Sequence, residues 1–211
     1  MKFLIIGVGN IGLRHIQGLT NLSLKNLEFY LYDTNNFYKE RFNDEIKNLK
    51  KNYIIKDIKN LKEISDILFE ITIISTTASN RIEILYKINK TILTKYILLE
   101  KPICQSMYEL KDLKQLSNEN IFVNFPRRYC VWHTEIKKKL IKKYSNKIFK
   151  FKILGGMIGL ACNACHFVDL INFWTNQYPT KVLINNLDKW YKAKRNGFYE
   201  VDGNLEVKFN N

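Results

Sequence analysis

The chain has 211 residues, of which 46% are hydrophobic and 13% aromatic, which is enough for a packed core and excludes a disordered chain. Its 34 lysines and arginines against 20 aspartates and glutamates give a net charge of +14, a surplus that attracts anions. No apolar run approaches the ~20 residues that span a bilayer. Four irregularly spaced cysteines do not form a secreted disulfide framework, so we expect reduced thiols.

The first 125 residues alternate short apolar strands with helical segments. Strands are predicted at 2–6, 27–32, 53–55, 71–75, 96–99 and 121–124. Helices are predicted at 11–22, 37–51, 61–68, 80–90 and 106–117. This alternation is typical of a doubly wound α/β domain with a parallel sheet. The opening apolar run ends at Gly7 without a cleavage-like site, so we expect a first strand and a cytoplasmic protein instead of a signal peptide.

The pattern changes after about residue 125. A basic helix is predicted at 131–144, and its lysine-rich face is interpreted as an ordinary surface, with an anion-attracting patch as the alternative. A second helix is expected from near Asn163, and antiparallel strands are predicted at 147–154, 181–184 and 204–209. We therefore expect a domain at 1–122 and a smaller α+β domain with an antiparallel sheet at 123–211. Because the sequence ends on a strand, this second domain is expected to be incomplete.

Three glycines mark the end of the first strand and the start of the first helix. Gly7, Gly9 and Gly12 match the fingerprint of a dinucleotide-binding turn in a Rossmann domain. The first permits the tight turn, the second lets the backbone approach a pyrophosphate, and the third lets helix and strand pack closely. Amides at the helix N-terminus then hold the phosphates, which adds Asn10 and Ile11 to the predicted site.

Asp33 closes the second predicted strand, about 20 residues after the glycines. A carboxylate there bonds the ribose hydroxyls of the adenosine and repels a 2′-phosphate. The predicted cofactor is therefore NAD, with NADP less favoured.

Four segments, taken together, resemble one enzyme family. They are the GxGxxGxRH pattern at 7–15, Glu-Lys-Pro at 100–102, the segment 123–129 with its Asn and Arg residues, and His-Phe-Val-Asp-Leu at 166–170. In order and spacing they resemble the glucose-fructose oxidoreductase, inositol dehydrogenase and MocA-type oxidoreductases, over roughly residues 3–174. The resemblance implies hydride transfer between NAD(P) and a secondary alcohol of a sugar, nucleotide sugar or cyclitol, in surface-glycan synthesis among other settings.

The resemblance also implies roles for individual residues. Lys101 would lie near the nicotinamide and stabilise developing alkoxide charge, and His166 would accept the hydroxyl proton. Further residues are implied to contact the cofactor: Ser75, Thr76, Thr77, Glu100 and Asn124. Arg128 would bind an acidic group of the substrate, with Asn163 as a further substrate contact. The implied partner, besides the small-molecule substrate, is a second copy bound through the C-terminal sheet.

One departure from the family pattern concerns Cys162, which stands four residues before His166, where many catalytic members carry an aspartate. An uncharged thiol cannot replace an ionised carboxylate as the partner of a histidine. The alternative function is therefore a dinucleotide-binding sensor or partner-binding protein without turnover. A nucleic-acid-binding protein is disfavoured because the lysines are dispersed and no reading module is recognised.

The segment Cys162-Asn-Ala-Cys165-His166 also matches the attachment sequence of c-type haem. Haem attachment requires export, which the missing signal peptide disfavours. A thioredoxin-like pair would follow the first strand of a different unit, and zinc would need further ligands at metal-like spacing. We interpret the two cysteines as a structural pair of buried thiols and predict no metal site.

Overall fold

The computed structural model describes residues 1–35, 53–113, 116, 120–144, 150–155 and 158–210. The helix predicted at 37–51 lies outside the described residues. The chain divides into two compact units, Met1–Asn124 and Phe125–Asn211. Strands and helices are numbered below in chain order among the described residues.

The first unit is built on a parallel sheet, with six strands in the part of the chain that the structure describes. The strands are β1 Lys2–Ile6, β2 Leu27–Tyr32, β3 Tyr53–Asp57, β4 Phe69–Ile74, β5 Thr94–Leu99 and β6 Ile121–Val123. Their spatial order is β3-β2-β1-β4-β5-β6, with every pair parallel. The predicted Rossmann-type α/β fold is thus confirmed. The order reverses between β1 and β4, where sheets of this kind bind ligands beyond the carboxyl ends of their strands.

Helices cover both faces of this sheet. The regular ones are α1 Asn10–Asn21, α2 Arg81–Thr91 and α3 Met107–Leu113. Along β1, Leu4 and Ile6 pack in one core cluster with side chains of α2, while Phe3 and Ile5 pack in a second cluster with side chains of α1. Because both faces are covered, the strands consist of continuous apolar runs instead of alternating ones.

The helix predicted at 61–68 is wrong. The structure has a single 3-10 turn at Leu61–Ile64, whose two end residues are both buried. The Asn60 side chain accepts the Lys62 amide at its start, and the Ser65 hydroxyl donates to the Lys62 carbonyl oxygen at its end. Such local side-chain hydrogen bonds compete with the continuation of a helix, so the turn ends once its apolar residues have reached the core.

Among its described residues the second unit contains two α-helices, a 3-10 turn at Pro126–Tyr129 and two small antiparallel sheets. The elements are α4 Val131–Tyr144, α5 Leu160–Thr175, β7 Pro179–Leu187, β8 Tyr191–Lys192, β9 Tyr199–Glu200 and β10 Gly203–Phe209. β7 pairs with β10 and β8 with β9, both antiparallel. The expected α+β character is confirmed. The short strands β8 and β9 were not predicted, because two residues are too few for a period-2 pattern to be recognised.

The prediction of a strand at 147–154 is wrong for the residues that the structure describes. Residues 145–149 lie outside the described part, and residues 150–155 form no strand. The Phe151 ring packs 5.7 Å from the Trp174 ring, whereas Leu154 is 79% exposed. β7 and β10 form a two-stranded sheet, and the described residues of this segment do not join it.

Candidate cofactor site

The glycine turn joins β1 to α1 at the carboxyl edge of the first unit's sheet. Gly7 has a φ of +83°, and a Cβ there would lie 2.8 Å from the amide nitrogen of Thr76. A Cβ on Gly12 would clash with the carbonyl oxygen of Gly7. Both positions therefore require glycine, the first for its backbone conformation and the second because α1 packs directly on the turn.

Gly9 differs from these two glycines because nothing lies within 4 Å of the place where its Cβ would be. It precedes α1 as the N-cap and provides no side-chain cap. The first amides of a helix lack intrahelical acceptors, and the helix dipole makes this end positive. An open space beside such amides fits the pyrophosphate of a dinucleotide, so the residues present are suited to NAD.

Asp33 follows β2 and is tied to the same turn. Its Oδ2 accepts the Val8 amide at 2.6 Å, and its Oδ1 accepts the Asn35 amide at 2.9 Å. An ionised carboxylate has about four acceptor sites, so both oxygens keep capacity for a ribose hydroxyl. The structure thus fixes the orientation of the predicted ribose-binding carboxylate through two backbone amides.

The loop after β4 supports the glycine turn from the side of the sheet. The Ser75 hydroxyl donates to the Gly7 carbonyl oxygen at 2.7 Å, and the Ser75 amide donates to the Ile6 carbonyl oxygen at 2.8 Å. The Thr77 hydroxyl lies 3.0 Å from that of Ser79. Ser75 therefore holds the turn in place, while the predicted cofactor contacts of Thr76 and Thr77 stay predictions.

Glu100, at the end of β5, is the centre of a buried polar cluster and is only 8% exposed. Its Oε1 accepts the Asn124 side-chain amide at 2.6 Å and lies 2.7 Å from His15 Nε2. Burial raises the pKa of Glu100, but the hydrogen bonds from His15 and Asn124 and the nearby charges of His15 and Arg81 outweigh it, so the net pKa is lowered. The cluster brings together two predicted site residues, Glu100 and Asn124, with His15 of the GxGxxGxRH pattern.

Arg81, the first residue of α2, has no role in the sequence analysis, yet its side chain is 3% exposed. Its guanidinium donates to the carbonyl oxygens of Thr76, Glu100 and Pro102. We call these three contacts the Arg81 bridge. No sequence pattern reveals the bridge, because its acceptors are backbone carbonyl oxygens, and residues 78–80 separate Arg81 from the Ser75-Thr76-Thr77 loop.

In the second unit, Arg128 is bound by an acidic side chain of its own chain. Its Nε lies 2.8 and 2.7 Å from the two carboxylate oxygens of Asp169, and Nη2 donates to Asn172 Oδ1 at 3.1 Å. The hydrogen bond to Asp169 raises the pKa of Arg128, against a smaller effect of burial. The predicted contact of Arg128 with an acidic substrate stays a prediction, and the structure adds an internal partner that the sequence did not reveal.

The other two predicted residues of this unit lie on α5. Asn163 Nδ2 donates to the Ile158 carbonyl oxygen at 2.6 Å, which satisfies the backbone before the helix. His166 is 8% exposed, and its ring meets the Phe125 ring edge-on at 5.7 Å. Their proposed contacts with a substrate are not tested by these observations.

The interpretation of Cys162 and Cys165 as buried thiols is wrong for Cys162, which is exposed, while Cys165 is half-buried. Cys162 lies in the first turn of α5, where the neighbouring Ala161 is also exposed. Among the described residues there is no group of three or more His, Cys, Asp or Glu side chains that could hold a metal ion. Within the same residues, no helix is both long enough and apolar enough for a membrane span.

Comparison with solved structures shows the same fold in several dehydrogenases. The myo-inositol dehydrogenase from Lactobacillus casei in complex with NAD(H) and myo-inositol is 19% identical, with a TM-score of 0.66 over 99% of this chain and 64% of that one. The scyllo-inositol dehydrogenase from Lactobacillus casei with bound NAD(H) and scyllo-inositol is 16% identical, with a TM-score of 0.58 over 88% and 60%. A probable dehydrogenase from Thermotoga maritima is 14% identical, with a TM-score of 0.61 over 88% and 58%.

The chain therefore spans less than two thirds of the length of these structures. No curated protein matches it by sequence. Residues 1–124 match the model of the Gfo/Idh/MocA oxidoreductases, described as an oxidoreductase family with an NAD-binding Rossmann fold. Because this match covers more than half of the chain, the protein belongs to the Gfo/Idh/MocA oxidoreductase family.

Proposed function

We propose that the chain transfers a hydride between NAD and a secondary alcohol of a sugar, nucleotide sugar or cyclitol. The observation that carries the proposal is the open space beside Gly9, next to the first amides of α1 and within the same turn that Asp33 contacts. Solved proteins of the same fold that bind NAD(H) together with inositols support this substrate class. Asp33 supports NAD over NADP, because a carboxylate repels a 2′-phosphate.

The reaction requires the chain to orient the alcohol and to move one proton. Bound NAD supplies the hydride acceptor. Lys101, two residues after the end of β5, is assigned the stabilisation of negative charge on the hydroxyl oxygen, since a fixed cation favours an alkoxide. His166 is assigned the acceptance of the hydroxyl proton. Each assignment rests on the resemblance of its own motif and is tested by its own substitution.

The first test is NADH binding to the folded chain, measured by calorimetry. Gly9→Ala places a methyl group in the open space beside α1, so we expect it to weaken NADH binding by about tenfold or more, equivalent to about 1.4 kcal/mol. Gly18→Ala is the matched control, because Gly18 also has nothing within 4 Å of its Cβ position but lies further along α1. Equal affinities for the two variants would contradict the proposed binding mode.

The second test is turnover with a panel of inositols, sugars and nucleotide sugars, followed by nicotinamide absorbance. Lys101→Met and His166→Asn are each expected to lower kcat by about 100-fold or more, as for loss of an acid–base or charge-stabilising group.

One observation favours a second candidate, a dinucleotide sensor: Cys162 stands where an aspartate would orient His166. NAD binding without turnover, unchanged by Lys101→Met, would establish the sensor; turnover that rises in Cys162→Asp would support the enzyme.

The proposal includes self-association through the sheet of β7 and β10. Val182 and Ile184 of β7 are 55% and 63% exposed, and they pair with Val207 and Leu205 of β10. An isolated two-stranded sheet is marginal in water, and exposed apolar clusters often mark interaction surfaces. A second copy of the chain is the proposed occupant of this face. Surface-glycan synthesis is the proposed setting, from the family resemblance alone.

A further inference from the structure

Arg81 occupies an unusual position for an arginine, because it is almost fully buried at the start of a helix. A buried guanidinium is costly unless each of its donors finds an acceptor. Here the acceptors are backbone carbonyl oxygens from two different loops, those that follow β4 and β5. A buried guanidinium that finds acceptors in both of these loops constrains both of them.

The contacts on the β5 side enclose the proposed charge-stabilising residue. Nη1 of Arg81 donates to the carbonyl oxygen of Glu100 at 2.6 Å and also to that of Pro102. Lys101 lies between these two residues, so one nitrogen atom holds the Glu100–Lys101 peptide and the Pro102–Ile103 peptide on either side of the Lys101-Pro102 pair. These contacts therefore constrain the backbone from which the Lys101 side chain starts.

The contact on the β4 side reaches the glycine turn. Nη2 of Arg81 donates to the Thr76 carbonyl oxygen, and the amide nitrogen of Thr76 lies 2.8 Å from the position that a Cβ on Gly7 would take. Arg81 is therefore connected to Gly7 through a single residue. The buried carboxylate of Glu100 adds an attractive charge, since Arg81 contributes to the lowered pKa of that group.

We propose that Arg81 is a positioning residue: through the Arg81 bridge it holds the backbone around Lys101 and the Thr76 loop in one arrangement with the glycine turn. The proposal rests on the proposed function, because Lys101 needs a fixed position only if it acts on a substrate. It adds a residue that contacts neither the reacting atoms nor the open space at Gly9.

The test uses Arg81→Lys and Arg81→Gln in the full chain. Lysine keeps the charge but concentrates its donors on one nitrogen, and glutamine keeps donors without the charge, so neither spans both loops. Two variants are used so that a folding failure of one leaves the other. The control is Ile88→Ala on the same helix, a fully buried residue two turns further on, which destabilises α2 without removing a hydrogen bond to either loop.

The first readout is native-state hydrogen exchange, which requires no ligand. We expect exchange in segments 75–78 and 100–105 to rise by about tenfold or more in the Arg81 variants, consistent with losing a charged hydrogen bond, while segment 3–6 stays protected. Ile88→Ala should show no selective rise in those two segments. Equal exchange in the Arg81 variants and the control would overturn the proposal, whether or not the wild-type chain binds NAD.

The second readout is function in variants that remain folded at the assay temperature. We expect Arg81→Lys to lower kcat with less effect on KM, and to weaken NADH binding by about tenfold, whereas Ile88→Ala preserves both. If exchange rises selectively in segments 75–78 and 100–105 of an Arg81 variant while its kcat and NADH affinity equal those of the wild type, the positioning role is overturned. If the wild-type chain binds no NADH, the proposed function is refuted. A selective rise in exchange of the two segments in the Arg81 variants would then still support the Arg81 bridge as the element that fixes both loops.

Discussion

The two units differ most in how much hydrophobic surface they bury. In Met1–Asn124, core clusters pack on both faces of the parallel sheet. Among the described residues of Phe125–Asn211, the buried hydrophobic side chains are Leu170 and Val201, and Trp190 is 60% exposed. Hydrophobic burial is the dominant favourable term in folding. The first unit therefore carries its stability within its own core, whereas the described part of the second relies more on individual polar contacts.

The largest expected change in the free energy of unfolding comes from comparing one aromatic residue in each unit. Phe29→Ala removes a fully buried ring of β2 and should lower the free energy of unfolding by about 3–5 kcal/mol. Trp190→Ala, at an exposed site, should lower it by less than about 1 kcal/mol. Urea unfolding followed by circular dichroism measures both changes. Similar losses in the two variants would remove the contrast between the units.

The same contrast explains what could be predicted from sequence. In the first unit, strands such as Lys2–Ile6 are continuous apolar runs because both faces are covered, and the glycine spacing fixes where the first helix begins. In the second unit, alternation at 147–154 indicated a strand, but whether a strand forms depends on a partner distant in sequence. The segment's described part packs through Phe151 instead of pairing.

The site shows a similar division. Residues at strand ends, such as Gly9, Asp33 and Glu100, could be predicted because parallel strands end at one edge of the sheet. Arg81 could not, because its partners are carbonyl oxygens, which every residue carries and no sequence pattern distinguishes. The internal pairing of Arg128 with Asp169 was missed for a related reason: the resemblance suggested a substrate role, and the positions are far apart in the chain.

The second prediction tests that polar pairing in the second unit. Asp169 has a side chain that is 8% exposed, and Arg128 has one that is 33% exposed. Arg128→Met leaves the carboxylate buried without its cation and should lower the free energy of unfolding by about 2 kcal/mol, a value reduced by the solvent around Arg128. A double-mutant cycle with Asp169→Asn measures the coupling. Additive effects would show that the pair contributes nothing.

The third prediction concerns the buried acidic cluster of the first unit. The pKa of Glu100 is lower than its ordinary value of 4.5, so the ionised form stabilises the folded state. This contribution is present above the unfolded pKa and is lost as pH falls through the folded pKa. Glu100→Gln should cost about 1 kcal/mol at pH 7 and should lose less stability than the wild type as pH falls below 4.5, the ordinary pKa of the group. Parallel pH profiles of the two proteins would contradict the role of Glu100.

The smallest expected effect on folding comes from exposed isoleucines, one in each unit. Ile54 on β3 is 54% exposed and Ile184 on β7 is 63% exposed. Substitution of either by threonine keeps a β-branched side chain that suits a strand. Each change should therefore alter the free energy of unfolding by less than about 0.5 kcal/mol, measured in dilute solution.

The two variants should differ in self-association. Ile184→Thr removes apolar area from the proposed self-association face and should shift the chain toward monomer in sedimentation equilibrium, whereas Ile54→Thr should not. Binding of a second copy stabilises the folded chain by mass action. The apparent free energy of unfolding of the wild type should therefore rise with protein concentration, and this dependence should be weaker in Ile184→Thr. A wild-type chain that stays monomeric at every concentration would show that the exposed face of β7 and β10 is not a self-association surface.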